Sequence, residues 1–194
     1  MTVTGPSGSG KTELLKILCK NHAFAKLVSV TTRKPRPGEV EGEDYYFITE
    51  EQFSQLEKKN QLVQSVRFNG VSYGTTIGEM QRIYAEEKTP VVIVEPGGVD
   101  QFEDVCKHHN YTLISVFVNA QIDILIERMI RRMEGSALTK DVSEYLSKRL
   151  ISLVTREVEW YNEKSYHINW HNNGKMTGLY ELADYINKKL ESIP

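Results

Sequence analysis

The sequence predicts an α/β fold in which helices cover both faces of a mostly parallel β-sheet. Strand-like and helix-like segments alternate along the 194 residues, as parallel strands joined by helical crossovers require. The run Val-Val-Ile-Val at 91–94 is continuously apolar, which is typical of a strand buried on both faces. A glycine-rich motif at 5–12 follows a short β-branched segment and precedes a helical one, the context of a phosphate-binding loop. A chain of this length can bury one sizeable core with small inserted subdomains.

The motif is Gly5-Pro6-Ser7-Gly8-Ser9-Gly10-Lys11-Thr12, which fits the pattern G-x-x-x-x-G-K-[ST] of a P-loop. Its glycines let the backbone turn tightly, so that N–H groups converge on an anion. In this pattern Lys11 reaches the β- and γ-phosphates, and the hydroxyl of Thr12 ligates Mg²⁺. The following helix directs its positive N-terminal end at the same phosphates. The motif therefore predicts a site for a nucleoside triphosphate and Mg²⁺, formed by Gly5, Ser7, Gly8, Ser9, Gly10, Lys11 and Thr12.

The elements of the first half begin with a short strand over 1–4 and a helix over 13–20. Residues 26–32 are predicted to form a single strand, which leads into a loop stiffened by two prolines and Gly38. The remaining elements are predicted as a strand over 44–48, a helix from the Thr49–Gln52 capping box to near 60, a hairpin of 62–68 and 71–73 around Asn69-Gly70, and a helix from the 76–79 capping box to about 88. Residues 30–85 thus form a small β-rich insert.

The second half continues the alternation of strands and helices. Glu95 and the residues after it end the apolar strand at 91–94 and open a helix. The predicted elements are a helix to about 109, a strand over 113–118, a helix over 121–133, an irregular polar segment over 134–140, a long helix over 142–163, a strand over 166–170 and a helix over 177–190.

Composition and charge exclude several classes of protein. The net charge is −2, so electrostatics give no case for a nucleic-acid or membrane partner. No apolar run approaches the ~20 residues of a membrane span, and no signal peptide is visible before the phosphate loop. The two cysteines are more typical of thiols than of a disulfide. We therefore expect a cytoplasmic protein.

Two arginines lie three residues apart on the proline-stiffened loop, Arg33 and Arg36. A planar guanidinium suits phosphate oxygens, but a solvated basic loop explains these residues equally well. Tyr45, on the next predicted strand, would more commonly pack into a core.

The order of residues from Ser29 to Phe47, SVTTRKPRPGEVEGEDYYF, closely resembles the signature of guanylate kinases. With the phosphate loop before it and Tyr73-Gly74-Thr75 after it, the resemblance covers most of the chain and is strongest over 5–80. It implies the three-layer P-loop kinase fold, with a parallel-sheet core, an inserted β-rich subdomain that binds a nucleoside monophosphate, and a helical lid. The implied parts are a core of 1–29, 86–126 and 150–194, the monophosphate-binding subdomain of 30–85, and the lid of 127–149.

The resemblance implies transfer of the γ-phosphate of ATP to GMP or dGMP, giving GDP or dGDP and ADP. Catalysis would then consist of positioning and charge neutralisation, without a side-chain nucleophile. Arg128 and Arg132 are spaced to share a helix face, although Glu127 and Arg131 are there as well, so a solvated face is the alternative. The implied catalytic residues are Lys11, Arg36, Arg128, Arg132 and Arg149, and the implied acceptor-binding residues are Ser29, Arg33, Arg36, Tyr45, Gln64, Tyr73, Thr75 and Glu95. The implied cofactors are ATP and Mg²⁺, with nucleotides as the only partners of a monomer or homodimer.

The sequence departs from the family pattern mainly where the base is read. Gln64 stands where guanylate kinases place a glutamate, and Ile93 and Glu95 stand at an Asp-x-Asp. The first of these two carboxylates, near the metal and phosphates, is therefore missing, and the second is kept as a longer acid. One interpretation keeps guanine as the base, with Glu95 accepting from its 2-amino group. The other is an altered or broadened base preference toward 2-aminoadenine, adenine or a pyrimidine.

Two further hypotheses are a binding module, which is a different class of protein, and another kinase of the same superfamily. A non-catalytic guanylate-kinase-like module that binds peptides is disfavoured by the complete motif at 5–12. A kinase of phosphorylated ribose is disfavoured by Tyr45 and Tyr73, which suit a nucleotide phosphate beside a base pocket.

Overall fold

The computed structural model describes residues 1–36, 38–68, 70–131 and 140–192. Its α/β class and parallel strand pairs confirm the predicted fold class. In chain order the elements are β1 (Thr2–Thr4), α1 (Lys11–Lys20), β2 (Phe24–Lys26), β3 (Val30–Thr31), β4 (Tyr46–Phe47), α2 (Glu50–Lys58), β5 (Leu62–Phe68), β6 (Val71–Thr76), α3 (Ile77–Ala85), β7 (Thr89–Ile93), α4 (Pro96–His108), β8 (Ser115–Ala120), α5 (Ile122–Arg131), α6 (Lys140–Thr155), a 3₁₀ turn (Glu157–Glu159), α7 (Trp160–Glu163), β9 (Ile168–Asn172) and α8 (Met176–Glu191).

The chain divides into two compact units. The first unit contains residues 1–2 and 19–113, and the second contains residues 3–18 and those from 114 onward. Strand β1 contributes Thr2 to the first unit and its other two residues to the second. The predicted division into core, subdomain and lid stays a prediction.

The parallel strands of the first unit follow the order β2-β7-β1. Phe24 of β2 lies opposite Thr89 of β7. The amino group of Met1 donates to the carbonyl of Pro90 at 2.7 Å, and the N–H of Val92 donates to the carbonyl of Met1 at 3.1 Å. Strand β7 is buried along Pro90–Val92, as its apolar run predicts, whereas Ile93 at its end is 36% exposed.

A second, four-stranded sheet in the same unit has the order β4-β3-β6-β5. Here the prediction of a single strand over 26–32 is wrong, because this segment belongs to two sheets. The N–H of Leu27 still donates to Val91 of β7 at 2.8 Å, but Val30 and Thr31 pair with Gly74 and Tyr73 of β6. The apolar pattern runs through the change of sheet, so periodicity alone does not reveal it.

The hairpin and the helix starts that the sequence predicted for this region are present in the structure. Strands β5 and β6 form the predicted hairpin, with an irregularity between Leu62 and Gln64; Asn69 of its turn lies outside the described residues. Helix α2 begins with the complete capping box of Thr49 and Gln52. At α3 only the half in which Thr76 accepts from the N–H of Glu79 is seen. The Glu79 carboxylate binds the guanidinium of Arg82 instead, at 2.9 Å.

The strands of the second unit follow the order β1-β8-β9. Strands β8 and β9 are parallel, with Val116 opposite Ile168 and Ala120 opposite Asn172. A buried cluster joins the end of β8 to the two helices that follow it, and comprises Ala120, Leu125, Met129 and Leu153. This cluster holds α5 and α6 beside the segment that follows β1.

The predicted long helix over 142–163 is wrong in its middle. Helix α6 ends at Thr155, a 3₁₀ turn follows, and α7 begins at Trp160. The break lies at Arg156, whose φ of −136° is not helical, and it turns the carboxylate of Glu157 into the interior, where the residue is 3% exposed. The end of the predicted helix over 121–133 and residues 134–139 of the predicted irregular segment over 134–140 lie outside the described residues, whereas Lys140 already belongs to α6. None of the helices in the described ranges is long and apolar enough to cross a bilayer.

Candidate active site

The motif at 5–12 forms a loop whose backbone favours glycine at Gly5, Gly8 and Gly10, and the first two lie against neighbouring main chain. Gly5 has a φ of +147°, and a Cβ there would lie 2.0 Å from the carbonyl oxygen of Val118. Gly8 has a φ of +88°, and a Cβ there would lie 2.8 Å from the carbonyl oxygen of Leu125. The loop therefore presses its backbone against β8 and α5, in conformations that L side chains rarely adopt. This is the tight backbone path that a phosphate-binding loop needs.

Lys11 and Thr12 lie where the loop becomes helix α1. The ammonium of Lys11 donates to the carbonyl oxygens of Gly5 at 2.7 Å and Pro6 at 2.8 Å, so its side chain folds back over the loop. Thr12, in the first turn of α1, is exposed. The loop thus presents an ammonium group and a hydroxyl group at the positive end of one helix.

Two of the predicted lid arginines contact this loop. Arg128 of α5 donates to the carbonyl oxygens of Gly8 and Gly174, each at 2.8 Å. Arg149 of α6 donates to the hydroxyl of Ser7. Arg132 lies outside the described residues. We call Lys11, Arg128, Arg149 and residues 5–12 the loop group; all of them belong to the second unit.

Two residues that the sequence did not predict also hold the loop. Asn172, at the end of β9, donates through Nδ2 to the carbonyl of Ser9 at 2.8 Å and accepts from the N–H of Gly174 at 3.1 Å. Glu157 accepts from the N–H of Ser7 at 2.7 Å. The Asn-Asn-Gly sequence after β9 signals a turn, which could have drawn attention to Asn172, whereas nothing distinguishes Glu157 from the other acids of its segment.

In the first unit, Arg33 is held by an acid that the sequence did not single out. Its two terminal nitrogens donate to the two carboxylate oxygens of Glu39, at 2.9 and 2.7 Å. Glu39 also accepts from the backbone N–H of Arg36 at 2.7 Å. The hydrogen bonds from Arg33 and then from the Arg36 backbone lower the pKa of Glu39 to about 2. Glu39 therefore closes the loop around Arg33, while the side chain of Arg36 is exposed.

Aromatic rings flank the same arginine. The Arg33 guanidinium lies 5.5 Å from the centre of the Tyr45 ring, within cation–π range. Tyr45 in turn meets Tyr73 edge to face at 6.0 Å. Burial raises the pKa of Tyr45 first, and Tyr73 raises it further, so the Tyr45 hydroxyl stays a neutral donor at physiological pH. The predicted phosphate-contacting residues Arg33, Tyr45 and Tyr73 are thus brought together.

The predicted base-reading residues also lie near one another. The hydroxyl oxygens of Ser29 and Thr75 are 3.3 Å apart, and Thr75 is opposite Gln64 in the β5–β6 pair. A Cβ on Gly98 would lie 3.5 Å from Cγ of Gln64, so this half-buried side chain extends to the first turn of α4, where Glu95 is the N-cap residue. We call Ser29, Arg33, Arg36, Tyr45, Gln64, Tyr73, Thr75 and Glu95 the acceptor group; all of them belong to the first unit.

Comparison with known proteins supplies the family of the chain. The family model described as guanylate kinase matches residues 1–189. The guanylate kinase of Prochlorococcus marinus (strain MIT 9312) is 31% identical over 171 residues, which cover 88% of this chain and 88% of that protein. The guanylate kinase of Chlamydia pneumoniae is 41% identical over 99 residues, so here the chain spans about half the relative's length, 48%.

A solved structure supports the fold. The crystal structure of guanylate kinase from Anaplasma phagocytophilum has a TM-score of 0.65 and covers 99% of this chain and 84% of that chain. Its sequence is 22% identical, so the comparison concerns the fold alone.

Proposed function

Because the chain belongs to the guanylate kinase family, we propose that it is an ATP-dependent kinase that converts GMP or dGMP to GDP or dGDP, with ADP as the other product. The observation that carries this proposal is the loop group. Phosphoryl transfer uses a phosphate-binding loop, a lysine and arginines. The loop group supplies each of these: a backbone path that favours glycine, Lys11 folded over the loop, and two arginines that contact it.

The residues of the loop group fit ATP with Mg²⁺. Lys11 lies over the loop on two carbonyl oxygens, and its ammonium would hold the β- and γ-phosphates. Mg²⁺ is usually held by one or two protein groups together with phosphates and water, and the exposed hydroxyl of Thr12 suits that role. Bound there, the ion would neutralise charge on the β- and γ-phosphates.

The acceptor group is proposed to hold the monophosphate. Arg33 has a guanidinium fixed by Glu39 and faced by the Tyr45 ring, so it would present its remaining N–H groups with little loss of side-chain freedom. Arg36 is exposed and would close on the phosphate. Positioning of the acceptor oxygen in line with the γ-phosphate supplies most of the rate acceleration, since the chemistry needs no covalent intermediate.

The base preference depends on Gln64. A carboxylate there would accept from both N1–H and the 2-amino group of guanine, whereas an amide offers one acceptor and one donor. The Gln64 carbonyl can meet the 2-amino group, but its NH₂ then opposes the guanine N1–H. One such mismatch costs roughly 1–3 kcal/mol, or about 5- to 150-fold in selectivity.

A second candidate function follows from the same residue. The N1 of 2-aminoadenine accepts and would fit the Gln64 amide, with its 6-amino group near Ser29; adenine and pyrimidines fit it in part. Ile93, 36% exposed at the end of β7, replaces the family carboxylate that would lie near the metal and the phosphates. Glu95 keeps the second carboxylate and can accept from a 2-amino group. We therefore propose that guanine is accepted with weakened discrimination.

The test is kcat/KM for GMP, dGMP, dAMP, the 2-aminoadenine deoxynucleotide and dTMP, in the unchanged protein and in Gln64→Glu. We expect the substitution to raise the preference for guanine by about 5- to 150-fold. Gln55→Glu, the same change at an exposed position of α2, should leave the ranking unaltered. Strict guanine specificity that Gln64→Glu does not improve would show that Gln64 does not read the base. Absence of phosphoryl transfer to every monophosphate would favour the binding-module hypothesis.

A further inference from the structure

Glu157 places a buried carboxylate against the phosphate loop. The residue opens the 3₁₀ turn after α6 and is 3% exposed. One carboxylate oxygen accepts from the N–H of Ser7 at 2.7 Å, and the other accepts from the Ser152 hydroxyl at 2.9 Å. A buried acid beside an anion-binding loop works against anion binding through like-charge repulsion, so its presence there requires a physical reason.

The geometry of one peptide bond supplies that reason. The C=O and N–H of a trans peptide point in opposite directions. Between Pro6 and Ser7, the N–H is held by Glu157 at 2.7 Å, while the C=O on the other side accepts from the ammonium of Lys11 at 2.8 Å and from the N–H of Ser9 at 3.2 Å. Fixing the Ser7 N–H therefore also fixes the carbonyl that orients Lys11.

Arg149 offsets the charge of the acid. It donates to the hydroxyl of Ser7, the same residue whose backbone N–H donates to Glu157. Burial raises the pKa of Glu157, but the hydrogen bonds from Ser7 and Ser152 and the charge of Arg149 outweigh it and leave the pKa below its ordinary value. Glu157 is therefore a carboxylate at physiological pH, held between the loop and α6.

We propose that Glu157 is a positioning residue for ATP, which orients the Pro6–Ser7 peptide, and through it Lys11, for the triphosphate. The inference rests on the proposed function. Glu157 does not touch the phosphates itself, and its effect reaches them through the loop. The acceptor monophosphate makes no use of this peptide, so only the ATP side of the reaction depends on Glu157.

The experiment compares four variants by calorimetric titration with ATP and Mg²⁺, and by steady-state kinetics. Glu157→Ala leaves the buried N–H of Ser7 unpaired and should raise the Kd and KM for ATP about 10-fold, with the KM for the monophosphate within about 2-fold of its starting value. Glu157→Gln keeps an oxygen for the Ser7 N–H and an NH₂ for the Ser152 hydroxyl, so it should recover most of the ATP affinity. Glu157→Asp withdraws the carboxylate and should lose affinity as Ala does.

The control is Glu159→Ala, in the same 3₁₀ turn, where an exposed carboxylate accepts only from Asn162 among the described hydrogen bonds. It should leave both substrates unaffected. If Glu157→Ala does not fold, the ATP affinities of Glu157→Asp and Glu157→Gln decide whether Glu157 has the proposed role. Unchanged ATP affinity in the Ala or Asp variant, or an equal loss for ATP and monophosphate, overturns the inference.

Direct titration separates this inference from the proposed function. If the unchanged protein binds ATP but phosphorylates none of the monophosphates, the proposed function fails, and the Kd values still decide the role of Glu157. If it phosphorylates GMP and the Glu157 variants bind ATP normally, the inference alone fails. Absence of ATP binding by the unchanged protein overturns both.

Discussion

The loop group and the acceptor group are held in place by different kinds of contact. In the loop group, two of the three cations donate to main-chain carbonyls, Lys11 to Gly5 and Pro6 and Arg128 to Gly8 and Gly174. The third, Arg149, donates to the Ser7 hydroxyl. In the acceptor group, the contacts are mainly between side chains, as Glu39 holds Arg33 and Thr75 meets Ser29, although Arg33 also donates to the carbonyl of Lys34 at 2.7 Å. Main-chain contacts survive most substitutions, whereas side-chain contacts change with a single residue. Phosphate handling is therefore expected to be insensitive to changes that alter base preference.

The largest expected effect comes from removing a charge of the loop group. Lys11→Ala takes away the ammonium aimed at the transferring phosphoryl, and kcat should fall at least ~10²-fold, on the scale of losing one charge-stabilising donor. The fold should persist, because Lys11 is itself only half-buried and the glycine-shaped path of the loop is set by its backbone. Steady-state kinetics measure kcat, and circular dichroism measures whether the fold persists. Lys16→Ala, an exposed lysine of the same helix paired with Glu13 at 2.9 Å, is the control, and near-normal turnover in Lys11→Ala would refute the kinase proposal.

A smaller effect is expected from Arg36 of the acceptor group. Arg36→Ala removes an exposed guanidinium proposed to bind the acceptor phosphate, and the KM for every monophosphate should rise by about 10-fold, the scale of one charge-assisted hydrogen bond. Because the phosphate is common to all bases, the factor should be the same for GMP and dAMP. Arg67→Ala, which removes an exposed arginine paired with Glu57 at 2.6 Å, should change little. A loss that depends strongly on the base would show that Arg36 has another role.

The smallest expected effect concerns pH and Glu39. The hydrogen bond from Arg33 lowers the pKa of this carboxyl from 4.5 to about 2. A carboxyl whose folded-state pKa is depressed contributes its stability above the ordinary pKa and loses it as pH falls toward the folded value. The KM for GMP should therefore not vary between pH 8 and 5 on account of this pair.

Carboxyl-carbon NMR should place the Glu39 midpoint near the value of about 2, and Arg33→Gln should move it upward. A midpoint near the ordinary 4.5 in the unchanged protein would mean that Arg33 is not held by Glu39 in solution, and that the acceptor group is not preorganised by this pair.

The sequence predicted the features that depend on neighbouring residues. The phosphate loop, the capping box of α2 and the β5–β6 hairpin each rest on a few adjacent residues, and all three are present as structural elements. The predictions of one strand over 26–32 and one helix over 142–163 were wrong, because each segment is interrupted where its residues bond to parts of the chain that are distant in sequence. Leu27 still bonds to β7 while Val30 bonds to β6.

The same distinction applies to the candidate site. Motif and resemblance supplied the arginines and Gln64, but not the two acids that hold the loops. Glu39 and Glu157 stand among other charged residues, so the sequence around each of them looks like an ordinary solvated segment. Their roles become visible only from the structure, which shows that Glu39 binds Arg33 and Glu157 binds the N–H of Ser7.

The double attachment of Arg128 has a thermodynamic consequence. Its guanidinium is already immobilised by two carbonyl oxygens, 2.8 Å away in each case, so the rotamer entropy of this long side chain is lost on folding instead of on nucleotide binding. Ordering such a side chain at the moment of binding costs about 0.5–1.5 kcal/mol, a cost that the exposed Arg36 would still incur. Binding at the loop group should therefore carry a smaller entropic penalty per arginine than binding at the acceptor group, and on that account the binding free energy of the triphosphate should change less steeply with temperature.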